Sequence, residues 1–313
     1  MTDAIHLSDV TKRFNGVAAV DRLTLTVPTG SIYGFIGPNG SGKTTTLRMI
    51  MNILLPDEGR IAVLDSETSR AARDRVSYLP EERGLYKKMT VRRLLRYYGQ
   101  LKGRVVAEID PVINDWMTRL GMDGWSDRKI ETLSKGMSQK VQFVAAVVSK
   151  PELLILDEPF SGLDPVNAEA LKDAVLEMRR RGTTIVFSTH DMSTAEKMCD
   201  RIFMIFKGRK VLDGTLQDIQ AQYSFDTVRL RTTAGAGALA GISGVDAVND
   251  YGQLQEVRLS CDPQRFLQQL AARTAVHHFE ITRPSLHDIF VRIARPGDAD
   301  TTSPHAYVHA GTE

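Results

Sequence analysis

The sequence predicts an α/β core in its N-terminal part and a smaller α+β domain in its C-terminal part. From about residue 32 onward, apolar strands alternate with Gly-rich turns and helices, which is typical of buried parallel strands. Residues 1–33 instead alternate apolar and polar positions between turn residues, a pattern that predicts short antiparallel strands. Beyond about residue 220 the predicted elements follow the order β-α-β-β-α-β, which is that of a ferredoxin-like split βαβ.

These patterns predict the domain boundaries. We expect a first domain over residues 1–220, with a helical insertion at about 85–150, and a second domain over 223–295. The polar tail at 296–313 contains Gly and Pro and is expected to be disordered. Buried strands are predicted at 32–36, 76–79, 153–156, 184–188 and 202–206. In the second domain we expect strands at 227–232, 247–249, 254–260 and 278–282, with helices at 236–242, 263–273 and 285–295.

Composition and charge exclude some classes of function. The chain has 40 Lys and Arg against 38 Asp and Glu, so its net charge of +2 gives no global basic field for nucleic acid. The two cysteines have no metal-ligand spacing, and we interpret them as reduced thiols. The most apolar stretches fall well short of the ~20 residues that a membrane-spanning helix needs. Any role at a membrane is therefore expected to depend on a partner.

A Gly-rich motif follows the first predicted buried strand and precedes a helical run. Residues 37–44, G-P-N-G-S-G-K-T, fit the P-loop pattern G-x-x-x-x-G-K-[ST]. The loop N–H groups and the positive end of the helix are expected to cradle phosphates, with Lys43 on the β- and γ-phosphates and the Thr44 hydroxyl on Mg²⁺. The cofactor-binding residues predicted here are Gly37, Asn39, Gly40, Ser41, Gly42, Lys43, Thr44 and Thr45.

Two carboxylates, Asp157 and Glu158, follow the apolar segment 153–156. Asp157 at the carboxyl end of a buried strand is suited to hold Mg²⁺ through water. Glu158 is placed to take the proton of a water molecule that attacks the γ-phosphate. The alternative, a surface turn before Pro159, is disfavoured because a P-loop precedes it in the same chain. Together the two motifs predict a P-loop NTPase.

Three further segments resemble motifs of the ABC ATPase family. Residues 133–139, L-S-K-G-M-S-Q, are similar to the family's signature L-S-G-G-Q, and residues 161–165, S-G-L-D-P, are similar to its D-loop. Residues 188–191, S-T-H-D, are similar to the segment that carries its switch histidine. The resemblance extends over about residues 5–220. It implies a P-loop NTPase (ABC ATPase) core with an antiparallel β subdomain and a helical insertion.

The resemblance also implies an assembly and site roles. Two subunits would form a head-to-tail homodimer with two ATP molecules, each held between the P-loop of one subunit and the signature of the other. Ser134 and Gly136 would contact the γ-phosphate, and Asp164 would reach across the interface. Phe14 would lie under the adenine, and His190 would bind the γ-phosphate, although a lone histidine is more often structural. The partner implied is an integral-membrane permease at the cytoplasmic face of the membrane, with no nucleic acid.

Two departures from the family pattern affect the predicted site. Glu81 stands where the family has its Q-loop glutamine. Its carboxylate can offer an oxygen to Mg²⁺ but adds negative charge, which Arg83 or a bound cation would offset. In the signature, Lys135 replaces a glycine and Met137 replaces a glutamine. Lys135 either adds a cation near the γ-phosphate or points to solvent.

Both departures resemble one exporter branch, the sodium-extrusion and drug-export ATPases that carry Y-L-P-E-E-R-G-L-Y and L-S-K-G-M. Residues 285–290, S-L-H-D-I-F, are similar to a motif near the end of that branch's small C-terminal domain. The function implied is the ATP-hydrolysing motor of an exporter. Two alternatives remain: a soluble ABC ATPase of translation or repair, and an ATP-binding switch that has lost hydrolysis. The single cassette without sustained heptads disfavours the first, and Glu158 with His190 disfavours the second.

A docking site for the permease is expected between the sheet and the helical insertion. Its predicted lining includes Leu85, Tyr86 and Met89, which follow closely on Glu81. A segment that touches both the nucleotide site and the surface can report the nucleotide state to a partner. The alternative for each of these residues is local core packing.

Overall fold

The computed structural model describes residues 3–66, 74–82, 84–223 and 227–294, so Arg83 and the predicted tail at 296–313 lie outside the described residues. The chain forms two compact units, Met1–Leu216 and Gln217–Glu313. The first unit contains β1 (Asp3–Phe14), β2 (Val17–Pro28), β3 (Ile32–Ile36), α1 (Lys43–Ile50), β4 (Glu58–Val63), β5 (Val76–Leu79), α2 (Val91–Leu101), α3 (Val106–Arg119), α4 (Lys135–Val147), β6 (Leu153–Asp157), α5 (Pro165–Arg180), β7 (Thr184–Thr189), α6 (Met192–Met198), β8 (Arg201–Phe206) and β9 (Arg209–Gly214). Helix α7 (Leu216–Ala221) begins at the boundary, and the second unit continues with β10 (Thr227–Thr232), β11 (Val245–Asp250), β12 (Gln255–Leu259), α8 (Pro263–Ala271), β13 (Val276–Thr282) and α9 (Leu286–Ala294).

An antiparallel three-stranded sheet in the order β2-β1-β4 forms the N-terminal part of the first unit. The prediction of short strands is wrong here, since β1 and β2 are each 12 residues long. The pairing register shifts between Leu7 and Val10, and Asp9 between them has a φ of 49°. A β-bulge of this kind absorbs an extra residue without ending the strand, so the strands continue through polar positions that interrupt the sequence pattern.

A six-stranded sheet in the order β5-β6-β7-β3-β8-β9 forms the centre of the first unit. The first five strands in this order are parallel, and β9 is antiparallel to β8. All five predicted buried segments are strands of this sheet, and every residue of β3, β6 and β7 is buried. Because parallel strands end at the same edge of a sheet, the segments that follow β3, β6 and β7 meet there.

The predicted helical insertion is present as α2, α3 and α4, with a 3-10 turn at Ile130–Thr132. Apolar residues of these helices share one core with residues of β6 and β7. Within it the buried rings of Trp116 and Phe143 meet edge to face, with centroids 5.5 Å apart. This packing fixes α4, whose N-terminal end carries the signature motif, against the sheet.

The second unit contains a four-stranded antiparallel sheet in the order β11-β12-β10-β13. This order confirms the predicted ferredoxin-like α+β fold. The segment predicted as a helix at 236–242 is a 3-10 helix at Gly235–Leu239, because its two glycines disfavour a longer α-helix. Within the described ranges, no helix of either unit has the length and apolar character needed to cross a membrane.

Candidate active site

The Gly-rich loop after β3 forms part of the wall of a cavity of about 330 Å³ in the first unit. Gly42 ends this loop and is the N-cap of α1, with a φ of 111°. A Cβ at Gly42 would lie 2.6 Å from the carbonyl oxygen of Ala19, so this close crossing of two chain segments requires a glycine. No side-chain hydrogen bond from the described residues caps α1. Its first N–H groups are therefore available to an anion.

Most of the predicted cofactor site lines this cavity. The lining residues are Ala19, Asn39, Gly40, Ser41, Gly42, Lys43, Thr44, Thr45, Glu81 and Glu158. The sequence predicted every one of these lining residues except Ala19, because a small residue in an antiparallel strand carries no motif. The Ser41 hydroxyl is buried and has no hydrogen-bond partner among the described residues. An unpaired buried hydroxyl of this kind fits a site for a polar ligand.

Lys43 is buried beside Glu158. Its Nζ donates to the carbonyl oxygens of Gly37 at 2.7 Å and Pro38 at 3.2 Å. It also lies 3.6 Å from Glu158 Oε1, and the two side chains are only 6% and 8% exposed. A buried ammonium needs such partners, because an unpaired buried charge is costly. The loop carbonyls and Glu158 thus hold the lysine at the cavity.

Asp157, at the end of β6, receives three hydroxyl groups. Thr44 Oγ1 and Ser188 Oγ donate to its Oδ1 at 3.2 and 2.6 Å, and the Tyr78 hydroxyl donates to its Oδ2 at 3.2 Å. Burial, followed by the charge of Asp157, raises the pKa of Tyr78 far above its usual value, so the phenol remains a proton donor. The sequence did not predict Tyr78 or Ser188, because each reaches Asp157 from a neighbouring strand.

Glu158 adopts a left-handed backbone conformation, with a φ of 48°. This conformation is unusual for a residue with a side chain and is found at sites where the surroundings impose it. The Glu158 N–H donates to Ser188 Oγ at 2.9 Å, and Glu158 Oε2 lies 3.1 Å from His190 Nδ1. A single serine therefore holds both acidic residues, and His190 contacts the carboxylate that also faces Lys43.

Glu81 and Phe14 differ in their placement. Glu81, on the loop after β5, lines the cavity together with Glu158. Phe14, the last residue of β1, is 46% exposed and lies outside the cavity lining. The Lys12 ammonium stands 5.7 Å from the centre of its ring. The contact of Phe14 with adenine stays a prediction.

The signature and D-loop residues also lie outside the cavity lining. Ser134 is the N-cap of α4, and its hydroxyl accepts a hydrogen bond from the Met137 N–H at 3.2 Å. Asp164 is the N-cap of α5, with Oδ1 accepting from the Asn167 N–H at 3.0 Å and Oδ2 from Asn167 Nδ2 at 2.5 Å. These bonds lower the pKa of Asp164. The contact of Ser134, Gly136 and Asp164 with ATP stays a prediction.

The two motifs contact one another within this chain. The Asn167 side chain packs onto Gly136 so closely that a Cβ there would lie 2.6 Å from Asn167 Nδ2. The Lys135 ammonium lies against Gly162, where a Cβ would collide with it. Lys135 is exposed, but its side chain follows the D-loop rather than extending away from the protein.

The residues around the cavity fit a nucleoside triphosphate with Mg²⁺. Uncapped N–H groups at α1, the unpaired Ser41 hydroxyl and the Lys43 ammonium suit phosphate oxygens. The Thr44 hydroxyl and the Asp157 carboxylate, 3.2 Å apart, are oxygen ligands of the kind that Mg²⁺ prefers. Glu158 and His190, 3.1 Å apart, form a pair that can accept and hold a proton.

Comparison with known proteins gives the family. Residues 20–161 match the ABC transporter family, and residues 214–294 match the C-terminal domain of DrrA1-3-like ATP-binding proteins. The chain is 38% identical over 289 residues to the uncharacterized ABC transporter ATP-binding protein YhaQ of Bacillus subtilis (strain 168), covering 92% of this chain and 97% of the relative. It is 31% identical over 300 residues to Nod factor export ATP-binding protein I of Sinorhizobium fredii (strain NBRC 101917 / NGR234), covering 93% and 85%.

A solved structure shares much of the fold. It is described as an ATP-binding subunit of an ABC transporter and superimposes with a TM-score of 0.66 at 31% identity, covering 70% of this chain and 93% of that one. The share of this chain that it covers is close to the share that the first unit occupies. With the cavity geometry and the length of the sequence matches, these likenesses show that the chain belongs to the family of ABC transporter ATP-binding proteins.

Proposed function

We propose that this chain is the ATP-hydrolysing motor of an ABC exporter and drives a separate integral-membrane permease by ATP-dependent closure of a homodimer. The observation that carries the proposal is that Lys43, Thr44 and Glu158 line one cavity, while Asp157 bonds to Thr44 and His190 lies 3.1 Å from Glu158. In a single place, these side chains supply an ammonium group for phosphate, oxygen ligands for a metal and a proton acceptor.

Each residue has a defined task in hydrolysis. Lys43 binds the β- and γ-phosphate oxygens, which replace Glu158 as its partner. Glu158 orients the attacking water and accepts its proton, while His190 hydrogen-bonds the γ-phosphate beside it. Thr44 and Asp157 would hold Mg²⁺, which would neutralise charge on the phosphates, and Glu81, which lines the same cavity as Thr44, would add an oxygen. Phe14 stacks under the adenine.

A second copy of the chain completes the site. Ser134, Gly136 and Asp164 lie outside the cavity of their own subunit, as expected for groups that serve the partner's ATP. The N-terminal end of α4 then presents its N–H groups to the γ-phosphate. Because one sequence carries both halves, a homodimer has two equivalent sites.

The permease docks beside the helical insertion at the cytoplasmic face of the membrane. Leu85 and Met89 pack against the core of the first unit, which leaves Tyr86 as the exposed member of the predicted lining, at 53%. Its ring meets Tyr97 edge to face with centroids 5.8 Å apart. Export as the direction of transport is supported by the relative named for Nod factor export.

Crosslinking tests the proposed coupling. A cysteine at Tyr86 should crosslink to a multi-span membrane protein that co-purifies with the chain, and the yield should change when ATP is added. A cysteine at Tyr251, which is 68% exposed in the second unit, is the matched control and should give no ATP-dependent crosslink. Co-purification with ribosomes or nucleic acid instead of a membrane protein would contradict the proposal.

A further inference from the structure

Helix α4 carries two glutamines among apolar residues, and both are buried. Gln139 is 2% exposed and Gln142 is 6% exposed. Burying a side-chain amide costs free energy unless the amide forms hydrogen bonds. The hydrogen-bond partners of these two glutamines therefore indicate their role. The two residues stand three positions apart and therefore lie on the same face of the helix.

Both glutamines bind backbone carbonyls next to the acidic residues of the cavity. Gln139 Nε2 donates at 3.1 Å to the carbonyl of Pro159, which follows Glu158. Gln142 Nε2 donates at 3.3 and 3.4 Å to the carbonyls of Pro80 and Glu82, which flank Glu81. The helix that starts with the signature thus touches both loops that bring a carboxylate to the cavity.

The Glu81 loop, residues 80–82, needs such an attachment for an electrostatic reason. Glu81 and Glu158 line the same cavity, and two carboxylates in one partly buried site repel each other. The loop is exposed at Glu81 and Glu82, so little apolar packing opposes its displacement. The amide of Gln142 holds it through two carbonyls without adding charge.

We propose that Gln142 is a positioning residue that fixes the Glu81 loop to the signature helix, so that Glu81 and Ser134 move as one body. The proposal rests on the function proposed above, in which Glu81 faces bound ATP and Ser134 faces the ATP of the partner. It gives the chain a direct mechanical link from one ATP site to the other, through a single helix. Gln142 touches neither ligand and acts only through the loop.

Hydrogen exchange without nucleotide tests the attachment. The backbone amides of Glu81 and Glu82 should exchange about fivefold faster in Gln142→Leu, the change expected for loss of a typical net hydrogen bond. Gln142→Glu keeps the shape but removes the donor and should have the same effect. Gln255→Leu is the matched control, because Gln255 is also buried, also donates to a carbonyl and also has an unpaired Oε1 among the described residues. Exchange in Gln142→Glu equal to that of the unmodified chain would overturn the proposal.

Exchange with ATP and Mg²⁺ tests the link at a protein concentration at which light scattering shows only monomer, because in a closed dimer the partner's ATP would itself slow exchange at residues 134–138. In the unmodified chain ATP should slow exchange at residues 81–82 and 134–138 together. In Gln142→Leu, ATP should still slow exchange at residues 81–82 but leave exchange at 134–138 unchanged. Slower exchange at both segments in this variant would overturn the link. If ATP slows neither segment in the unmodified chain, the proposed function fails, whereas the nucleotide-free comparison still decides whether Gln142 holds the loop.

Discussion

Lys43 Nζ lies 3.6 Å from Glu158 Oε1, with both side chains buried. The lysine predicted to bind phosphate and the glutamate predicted to act as the base are therefore ion-pair partners within one subunit. Breaking a buried ion pair from one side typically costs about 3–5 kcal/mol, because the other charge is left uncompensated. The pair therefore links the stability of the chain to its chemistry.

Lys43→Ala should weaken ATP binding and destabilise the chain. Affinity should fall about 10–100-fold, as expected for lost hydrogen bonds to charged groups of ~1.5–3 kcal/mol. Titration calorimetry measures the affinity, and thermal unfolding measures the stability. Lys129→Ala, which removes a lysine that is 60% exposed, should change neither.

The double variant Lys43→Ala/Glu158→Gln separates charge from packing. In Lys43→Ala the buried Glu158 carboxylate loses its ammonium partner, so neutralising Glu158 as well should raise the unfolding temperature above that of Lys43→Ala alone. A loss of stability in the double variant equal to the sum of the losses in the two single variants would show that the pair does not interact.

Tyr78→Phe should raise the Mg²⁺ concentration needed for half-maximal activity. Removing a group that orients a metal ligand typically costs about 10–100-fold in metal affinity or activity, and Tyr78 donates to the second oxygen of Asp157. Binding of ATP without Mg²⁺ should be unchanged, because the phenol does not line the cavity. ATPase assays over a range of Mg²⁺ concentrations measure the first quantity, and fluorescent ATP analogues with and without Mg²⁺ measure binding. An equal loss in the two conditions would assign Tyr78 to packing alone.

Ser134→Arg should leave ATP binding to the monomer intact and prevent dimer closure. The substitution places a bulky side chain at the predicted interface but outside the cavity of its own subunit. It also removes the N-cap of α4, which typically costs ~1 kcal/mol, so Ser134→Ala is the control for the cap alone. Light scattering with ATP measures closure. Loss of ATP binding by the Ser134→Arg monomer would mean that the signature is misplaced.

The buried parts of the fold were predictable from the sequence, and its irregular parts were not. Strands such as β3 and β6 are continuous apolar segments between turns, and their burial on both faces makes that pattern unambiguous. The full lengths of β1 and β2 depend on a register shift around Asp9. A shift of this kind is decided by cross-strand pairing, which a local pattern does not contain.

The candidate site shows the same division. Residues 37–45 are contiguous and carry their own motif, and the placement of residues 39–45 around one cavity follows from it. Ser188, Tyr78 and Gln142 act on groups that are distant in sequence. No local pattern predicts which distant groups a serine at the end of β7 or a glutamine in α4 will contact. Such residues become recognisable only when the strand order brings their partners next to them.

Turnover and ATP retention in Glu158→Gln test the central claim most directly. The substitution keeps the shape of the side chain and removes its basicity, so ATP should bind with nearly unchanged affinity. Hydrolysis should be about 10²–10⁴-fold slower, the usual contribution of a general base, and the uncleaved ATP should hold the chain as a dimer in light scattering. Turnover equal to that of the unmodified chain would contradict the assignment of Glu158 as the base and, with it, the proposed mechanism of this motor.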